Sequence, residues 1–243
     1  MSARYDTIGR SYATTRGEDP RVAAAIWAAL GDARTVVDVG AGTGHYEPRD
    51  RAVTAVEPSA VMRAQRPPDA APCVDAVAED LPFADGAFDA AMAILSDHHW
   101  SDRAAGFREL RRVARRVVVF SWDVAYAQAF WLVRDFWPDF AATGDAGFAE
   151  TKRLLGATRE IPVPIPHDCR DGFLMAYWRR PEAYLDPVVR ANISVFAMLP
   201  DDEEQAFVAR LREDLESGAW HTRNGALLEL QALDLGYRVL VGE

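Results

Sequence analysis

VVDVGAGTGHYEP, residues 36–48, holds an apolar run that ends in three glycines at spacing two, Gly40, Gly42 and Gly44. The run TVVDV, 35–39, is mostly β-branched and suits a strand buried on both faces. Glycines between a strand and a helix let backbone approach a ligand with no Cβ in the way. Asp38 lies inside the strand, where its carboxylate can order the loop through backbone N–H groups. AVTAVE, 52–57, reads as the next strand, and its last residue, Glu57, stands 17 positions after Gly40. A carboxylate there can accept from both hydroxyls of a ribose. The pattern is GxGxG, because position 45 is His. A dinucleotide fingerprint needs its third glycine one residue later, beside a pyrophosphate. An adenosine ligand without phosphates therefore fits better than NAD(P).

Outward from this stretch, strands and helices alternate. Asp19-Pro20 reads as a helix cap and first turn, with Val22, Ile26 and Leu30 on one face and Gly31 as the stop. Further strands are expected near 73–77, at AFDAAMAIL (87–95) and at VVVF (117–120). Ser101 is expected to cap the helix between the last two, with Phe107, Leu110 and Val113 inward. Such alternation implies a Rossmann-like, doubly wound, mostly parallel sheet. After residue 122 the rhythm changes. Residues 124–160 are aromatic and helical in pattern, and IPVPIPHD (161–168) holds three prolines and is at best an edge strand. Residues 172–220 read as helical, with Phe207, Leu211 and Leu215 on one face, and LGYRVLVG (235–242) reads as a closing strand. The expected division is a core with an amino-terminal lid at 1–122, a helical cap at 123–234 and the closing strand at 235–243.

Composition excludes several classes. The 243 residues are 49% hydrophobic with a net charge of -10, which suits a soluble α/β domain and argues against a nucleic-acid partner. No apolar run reaches the ~20 residues of a membrane span, and MSARYDTIGRSY has no apolar signal core. Cys73 and Cys169 read as reduced thiols of a cytoplasmic protein. Monomer and homodimer both remain open.

With these residues in hand, the chain resembles the class I S-adenosylmethionine-dependent methyltransferases, in their small-molecule, ubiquinone/menaquinone-methyltransferase-like branch. VDVGAGTG resembles the first motif of that family, AVEPS its second, and AEDLPFADGAFD (78–89) its adenine-side loop and fourth strand. YDTIGRSYATTR (5–16) is similar to the amino-terminal segment that many members lay over the cofactor. The resemblance implies S-adenosyl-L-methionine as cofactor and S-adenosyl-L-homocysteine as product. It implies that Gly40, Ala41, Gly42 and Gly44 pass backbone around the methionine and ribose, that Glu57 holds the ribose, and that Pro58 and Met62 pack on adenine. Backbone at Ala78 and Glu79 would read the adenine edge. Relatives often carry Asp where this chain has Val77, so the adenine amino group is expected to turn to Asp80 or Glu79. Ala93 would line the methionine side, and Tyr12 and Arg16 would close the site, Arg16 on the methionine carboxylate. Relatives typically place about four more residues between the last glycine and the second acidic residue, close to one helical turn. Together with Pro48, this predicts a helix cut short or replaced by an irregular segment across 45–51, with sheet register unchanged.

Methyl transfer needs a nucleophile aligned with the methyl, water excluded, and for a hydroxyl or carbon acid a base. His98 and His99, just past the fourth strand, and His167 in the cap are the base candidates; no metal site is expected. Aromatic residues after the fifth strand suggest an aromatic or apolar small-molecule acceptor, with Trp122, Tyr126, Tyr177 and Trp178 as its walls. Two rival readings remain: a protein that binds the cofactor or its demethylated product without transferring methyl, and an NAD(P)-dependent oxidoreductase.

Overall fold

A computed structural model describes residues 16–138, 146–196 and 199–243. Tyr12 and segment 5–15 lie outside the described residues. Helix α1 (Pro20–Leu30) starts as its sequence dictates: the Asp19 carboxylate accepts from Arg21 N, Pro20 occupies the first turn, and Gly31 follows the end. Strand β1 (Thr35–Val39), β2 (Ala52–Val56), short α2 (Ala60–Arg63), β3 (Cys73–Val74) and β4 (Phe88–Ile94) come next. Helix α3 (Arg103–Val113) runs directly into β5 (Ala114–Trp122). The cap of α3 is Asp102, not Ser101: Asp102 Oδ1 accepts from Ala105 N at 2.9 Å, while Ser101 turns its N–H and hydroxyl to Glu79.

The insertion then carries α4 (Trp131–Phe136), α5 (Ala146–Leu155), β6 (Arg159–Pro162), β7 (Ile165–Pro166), α6 (Pro187–Ala191), α7 (Asp201–Glu216), α8 (Ala219–Asn224) and β8 (Ala232–Leu233), before β9 (Tyr237–Gly242). The main sheet has the order β3-β2-β1-β4-β5-β9-β6. Strands β1 to β5 pair in parallel, and β9 runs antiparallel between β5 and β6. The proline-bearing β6 takes the sheet edge, where a missing N–H costs no ladder bond. Strand order reverses between β1 and β4, the switch point at which open α/β sheets bind ligands.

No helix forms between Gly44 and β2, and β1 still pairs with β2 in unbroken register from Thr35↔Ala52 to Val39↔Val56. The irregular segment is held in other ways. Tyr46 is buried, and its carbonyl accepts from Trp27 Nε1 at 2.9 Å. Glu47 and Arg66 form a buried ion pair at 2.5 Å, each side chain 6% exposed. Arg66 also donates to the Gly42 carbonyl, and Glu47 accepts from Ala71 N, so the pair ties the glycine loop to the chain after α2.

Apolar side chains fill both faces of the sheet. On one, Val36, Met92, Val118, Phe120 and Val239 pack against α1 and the insertion; on the other, Val37, Val39, Ala91, Val117 and Val119 pack against α3 and α5. The aromatic stretch mostly builds the insertion's own core. Trp131 meets Trp220 and Tyr184 edge-on at 5.5 and 5.7 Å, and beside them Trp137 stacks on Phe207 and meets Phe196 edge-on. Among the described residues, no helix is long and apolar enough to cross a membrane. Both cysteines are free; burial pushes the Cys169 thiol up to about 12, so it stays protonated, and Cys73 is half-buried.

Candidate active site

At the carboxyl edge of β1 the chain must turn sharply over the end of β2. Gly40 N and Ala41 N both donate to the Val56 carbonyl, at 2.9 and 3.1 Å. Gly40 has φ +74, and a Cβ there would lie 2.6 Å from Ser96 Cβ, so the turn needs glycine. Ser96, just past β4, locks the arrangement by donating its hydroxyl to the Val39 carbonyl at 2.9 Å. Leu95 beside it takes φ 50, an uncommon left-handed conformation for a branched side chain, held by its N–H bond to Phe120 O.

Glu57 is fixed by the backbone on both sides. Oε2 accepts from Gly42 N and Oε1 from Ser59 N, each at 2.8 Å. Each carboxylate oxygen has two acceptor sites, so both keep capacity for a hydroxyl pair. Burial raises the Glu57 pKa against those two bonds. Asp38 is buried more completely. Its Oδ1 has no hydrogen-bond partner among the described residues, and burial together with the Glu47 and Glu57 charges pushes its pKa well above the ordinary carboxylate range.

These groups line one cavity of about 470 Å³. Pro58, Met62 and the stretch Ala76 to Glu79 form one end; the glycine loop and Asp38 form the floor; Ile94, Leu95, Ser96, His99 and Trp100 form the wall past β4. Arg16, His45, Tyr46 and Asp171 stand at the remaining side. An orphaned buried carboxylate oxygen, a paired acceptor at Glu57 and one guanidinium suit a ligand carrying a ribose, a cationic group and a carboxylate. Phosphate binding has no comparable support, since the lining carries the carboxylates of Asp38, Glu57, Glu79 and Asp171 against the one guanidinium of Arg16.

Residues 37–120 match the family model described as "Methyltransferase domain". A solved structure from Anabaena variabilis, assigned to the methyltransferases of an antibiotic biosynthesis pathway, is 34% identical; the match covers 94% of this chain and 99% of that one, with a TM-score of 0.85. This chain is a class I S-adenosylmethionine-dependent methyltransferase. The [4+2]-cyclase SpnF shares the fold at 18% identity, over 98% of this chain and 92% of its own, with a TM-score of 0.56. The Escherichia coli protein YafE is 50% identical over 38 residues, a stretch that spans 16% of this chain and 18% of YafE.

The methyltransferase brings most of its sequence-predicted cofactor residues to the cavity: Arg16, Asp38, Gly40, Ala41, Gly42, Glu57, Pro58, Met62, Ala78 and Glu79 all line it. Three do not. Ala93 faces the core on the far side of the sheet, because side chains alternate along β4 and Ile94 takes the cavity side. Gly44 sits behind the loop; with φ +86, its missing Cβ leaves room for Glu47 and Arg66, which a Cβ would approach to 3.0 Å. Asp80 is exposed and stands off the cavity wall. The Glu79 carboxylate, at the rim, is committed to Ser101 and Asp102 N at the start of α3, bonds that hold its pKa low against partial burial.

Of the histidine candidates, His99 lines the cavity, His98 is exposed, and His167 lies in the insertion, off the cavity lining, with its backbone N–H donating to Gln231 O. Asp97 turns away from both neighbouring imidazoles to Arg103 and Thr151, and among the described residues no group of three metal-ligating side chains gathers. The four aromatic wall candidates lie off the cavity lining. Trp178 is fully buried with its indole on Ile165 O; Trp122 binds Leu235 O; Tyr126 is exposed beneath Arg238. Tyr177 is half-buried under Arg180, with Arg16 and Asp171 among its charged neighbours. Trp100, the aromatic residue that follows the histidine pair, also lines the cavity with its indole nitrogen toward Gly40, and so do Tyr46 and Asp171, which carry no sequence signal. His45, which offers no constellation in sequence, lines the cavity with its Nδ1 3.2 Å from Thr43 Oγ1, and burial lowers its pKa toward the neutral ring.

Proposed function

We propose that the methyltransferase acts on a small aromatic or apolar acceptor, with His99 receiving the acceptor's proton. The observation that supports this is the wall past β4, where His99 lines the same cavity as the glycine loop together with the apolar side chains of Leu95 and Trp100. S-adenosylmethionine, when bound, supplies an electrophilic methyl on a sulfonium. The protein's part is to hold it, align the acceptor and keep water out. Glu57 accepts from the ribose, Pro58 and Met62 cover the adenine, and Asp38 and Arg16 serve the charged amino-acid end. Residues 1–122 bind the cofactor, residues 123–234 cover the acceptor, and Tyr177 is an aromatic residue of that insertion with Arg16 among its charged neighbours.

Turnover of methyl-labelled cofactor over a panel of phenols, aromatic amines and apolar carbon acids tests the acceptor class; methyl transfer confined to peptides or nucleic acids would overturn it. Replacing His99 with Asn is expected to lower kcat about 10²- to 10⁴-fold and remove the acid limb of its pH profile. An unchanged profile means that alignment alone suffices. Glu57→Ala is expected to weaken cofactor binding by ~1–3 kcal/mol in calorimetry, since buried hydroxyls and two backbone N–H groups lose their acceptor.

A further inference from the structure

His99 stands on a turn of three residues, Asp97–His99, that has few bonds of its own. His99 N donates to Ser96 O at 2.9 Å, and Trp100 N to Asp97 O at 3.3 Å. The side chain that ties the turn to its surroundings is Asp97, which is 1% exposed. Its Oδ2 accepts from Arg103 Nη2, in α3, and from the Thr151 hydroxyl, in α5, each at 2.8 Å. Thr151 is fully buried and accepts in turn from the same guanidinium. Arg103 also donates to Gly147 O at 2.9 Å and to Glu150 Oε2 at 2.6 Å. The insertion thus reaches back, 54 positions along the chain, to brace a wall of the cavity.

Asp97 Oδ1 has no hydrogen-bond partner among the described residues, so the carboxylate combines one compensating cation, Arg103, with one spare acceptor. Two positions further along the same turn is the imidazole assigned to receive the acceptor's proton. A base works while its ring is neutral at the working pH, and a carboxylate within ~4–6 Å favours the imidazolium instead. A buried carboxylate that loses its partner is left uncompensated and draws in the nearest proton or cation. In this turn those are the imidazoles of His98 and His99, ring centres 3.9 Å apart. The other ionisable side chains that share the cavity with His99 are Arg16, Asp38, His45, Tyr46, Glu57, Glu79 and Asp171, and none belongs to α3 or α5.

We propose that Arg103 and Thr151 are positioning residues for His99: by holding Asp97 against α5 they fix the turn that carries His99 and keep the Asp97 charge off its imidazole. This rests on His99 as the proton acceptor. It also makes α5, a helix of the insertion, a determinant of how the base titrates.

Titration of the imidazole resonances by NMR, with the enzyme saturated by S-adenosylhomocysteine, tests this without any acceptor; His99→Asn identifies the His99 signals. Arg103→Gln is expected to raise the His99 pKa by about 1 or more, as a newly facing carboxylate does. Adding Asp97→Asn returns it to the parent value, which a merely structural disturbance would not do. Thr151→Val, which keeps the ion pair, gives a smaller rise, and Thr151→Ser, which keeps the hydroxyl, matches the parent. His167, off the cavity, titrates alike in all of them. An unchanged or lowered His99 pKa in Arg103→Gln, or in Thr151→Val where the former folds poorly, overturns the proposal. So does a rise that survives Asp97→Asn. The role of His99 as base is read separately, from turnover in His99→Asn, so either assignment can fall while the other stands.

Discussion

Asp38 shows at the residue scale how the site sets function against stability. Its carboxyl is buried at the end of β1, between Glu47 and Glu57, with Arg66 only partly offsetting them. Burial and the two like charges favour the neutral form. A group whose folded pKa is raised in this way stabilises the fold below its unfolded pKa, and that contribution is lost as pH rises toward the folded value. Asp38→Asn keeps the shape and removes the titration. In the protein without ligand, the variant is therefore expected to melt higher than the parent, by a margin that widens between pH 5 and pH 8, while binding the cofactor more weakly. Thermal unfolding across that range checks it; a margin that does not change with pH would mean that the carboxyl is not strained. The trade is typical of functional sites, where a group is kept for its ligand at a cost to the empty fold.

At the scale of elements, the segment between Gly44 and β2 keeps its sheet register without a helix, because Tyr46, Glu47 and Arg66 replace what a helix would bury. Pro48 and the short spacing made the loss of the helix legible in sequence; the ion pair, 19 positions apart, was not, since no local period links its partners. The start of α3 carries a sharper test. Gly106 lies inside the helix, where glycine ordinarily costs about 0.5–1 kcal/mol relative to alanine. Here the indole of Trp100 occupies the space, and a Cβ would come within 2.4 Å of a ring carbon. Trp100 also leans on Phe107, ring centres 5.4 Å apart, so it cannot move aside freely. Gly106→Ala is therefore expected to reverse the usual sign, destabilising by ~1–3 kcal/mol through overpacking and weakening cofactor binding by shifting Trp100. Denaturant midpoints and cofactor titration measure both. A variant stabilised as an ordinary helix site would show that Trp100 does not rest on Gly106.

For the whole molecule, the parallel core was legible because β1, β2 and the glycines obey local rules, and the cofactor end of the cavity followed from them. The insertion was not. AFDAAMAIL is apolar on both faces, so nothing in it tells Ala93 from Ile94, and an aromatic stripe has the same spacing whether it faces a ligand or a neighbouring helix. Asp171 has no signal near Arg16 in sequence at all. The topology explains why the insertion became core. It leaves the sheet after β5 and returns through β9, which pairs between β5 and β6, so the sheet closes only once the insertion is in place. One continuous apolar cluster joins Val36, Met92 and Phe120 of the sheet to Trp131, Tyr184 and Trp220 of the insertion. Separate unfolding of either part would expose that shared face, at about 25 cal/mol per Å². Far-UV circular dichroism, which follows the whole chain, and tryptophan fluorescence, to which Trp131, Trp137, Trp178 and Trp220 of the insertion contribute four of the seven indoles, are thus expected to report one coincident denaturant transition. Saturating S-adenosylhomocysteine should move both curves together, because a ligand held by the core then stabilises the insertion through the same cooperative unit. A fluorescence transition at lower denaturant, unmoved by the ligand, would instead make the insertion an independent unit.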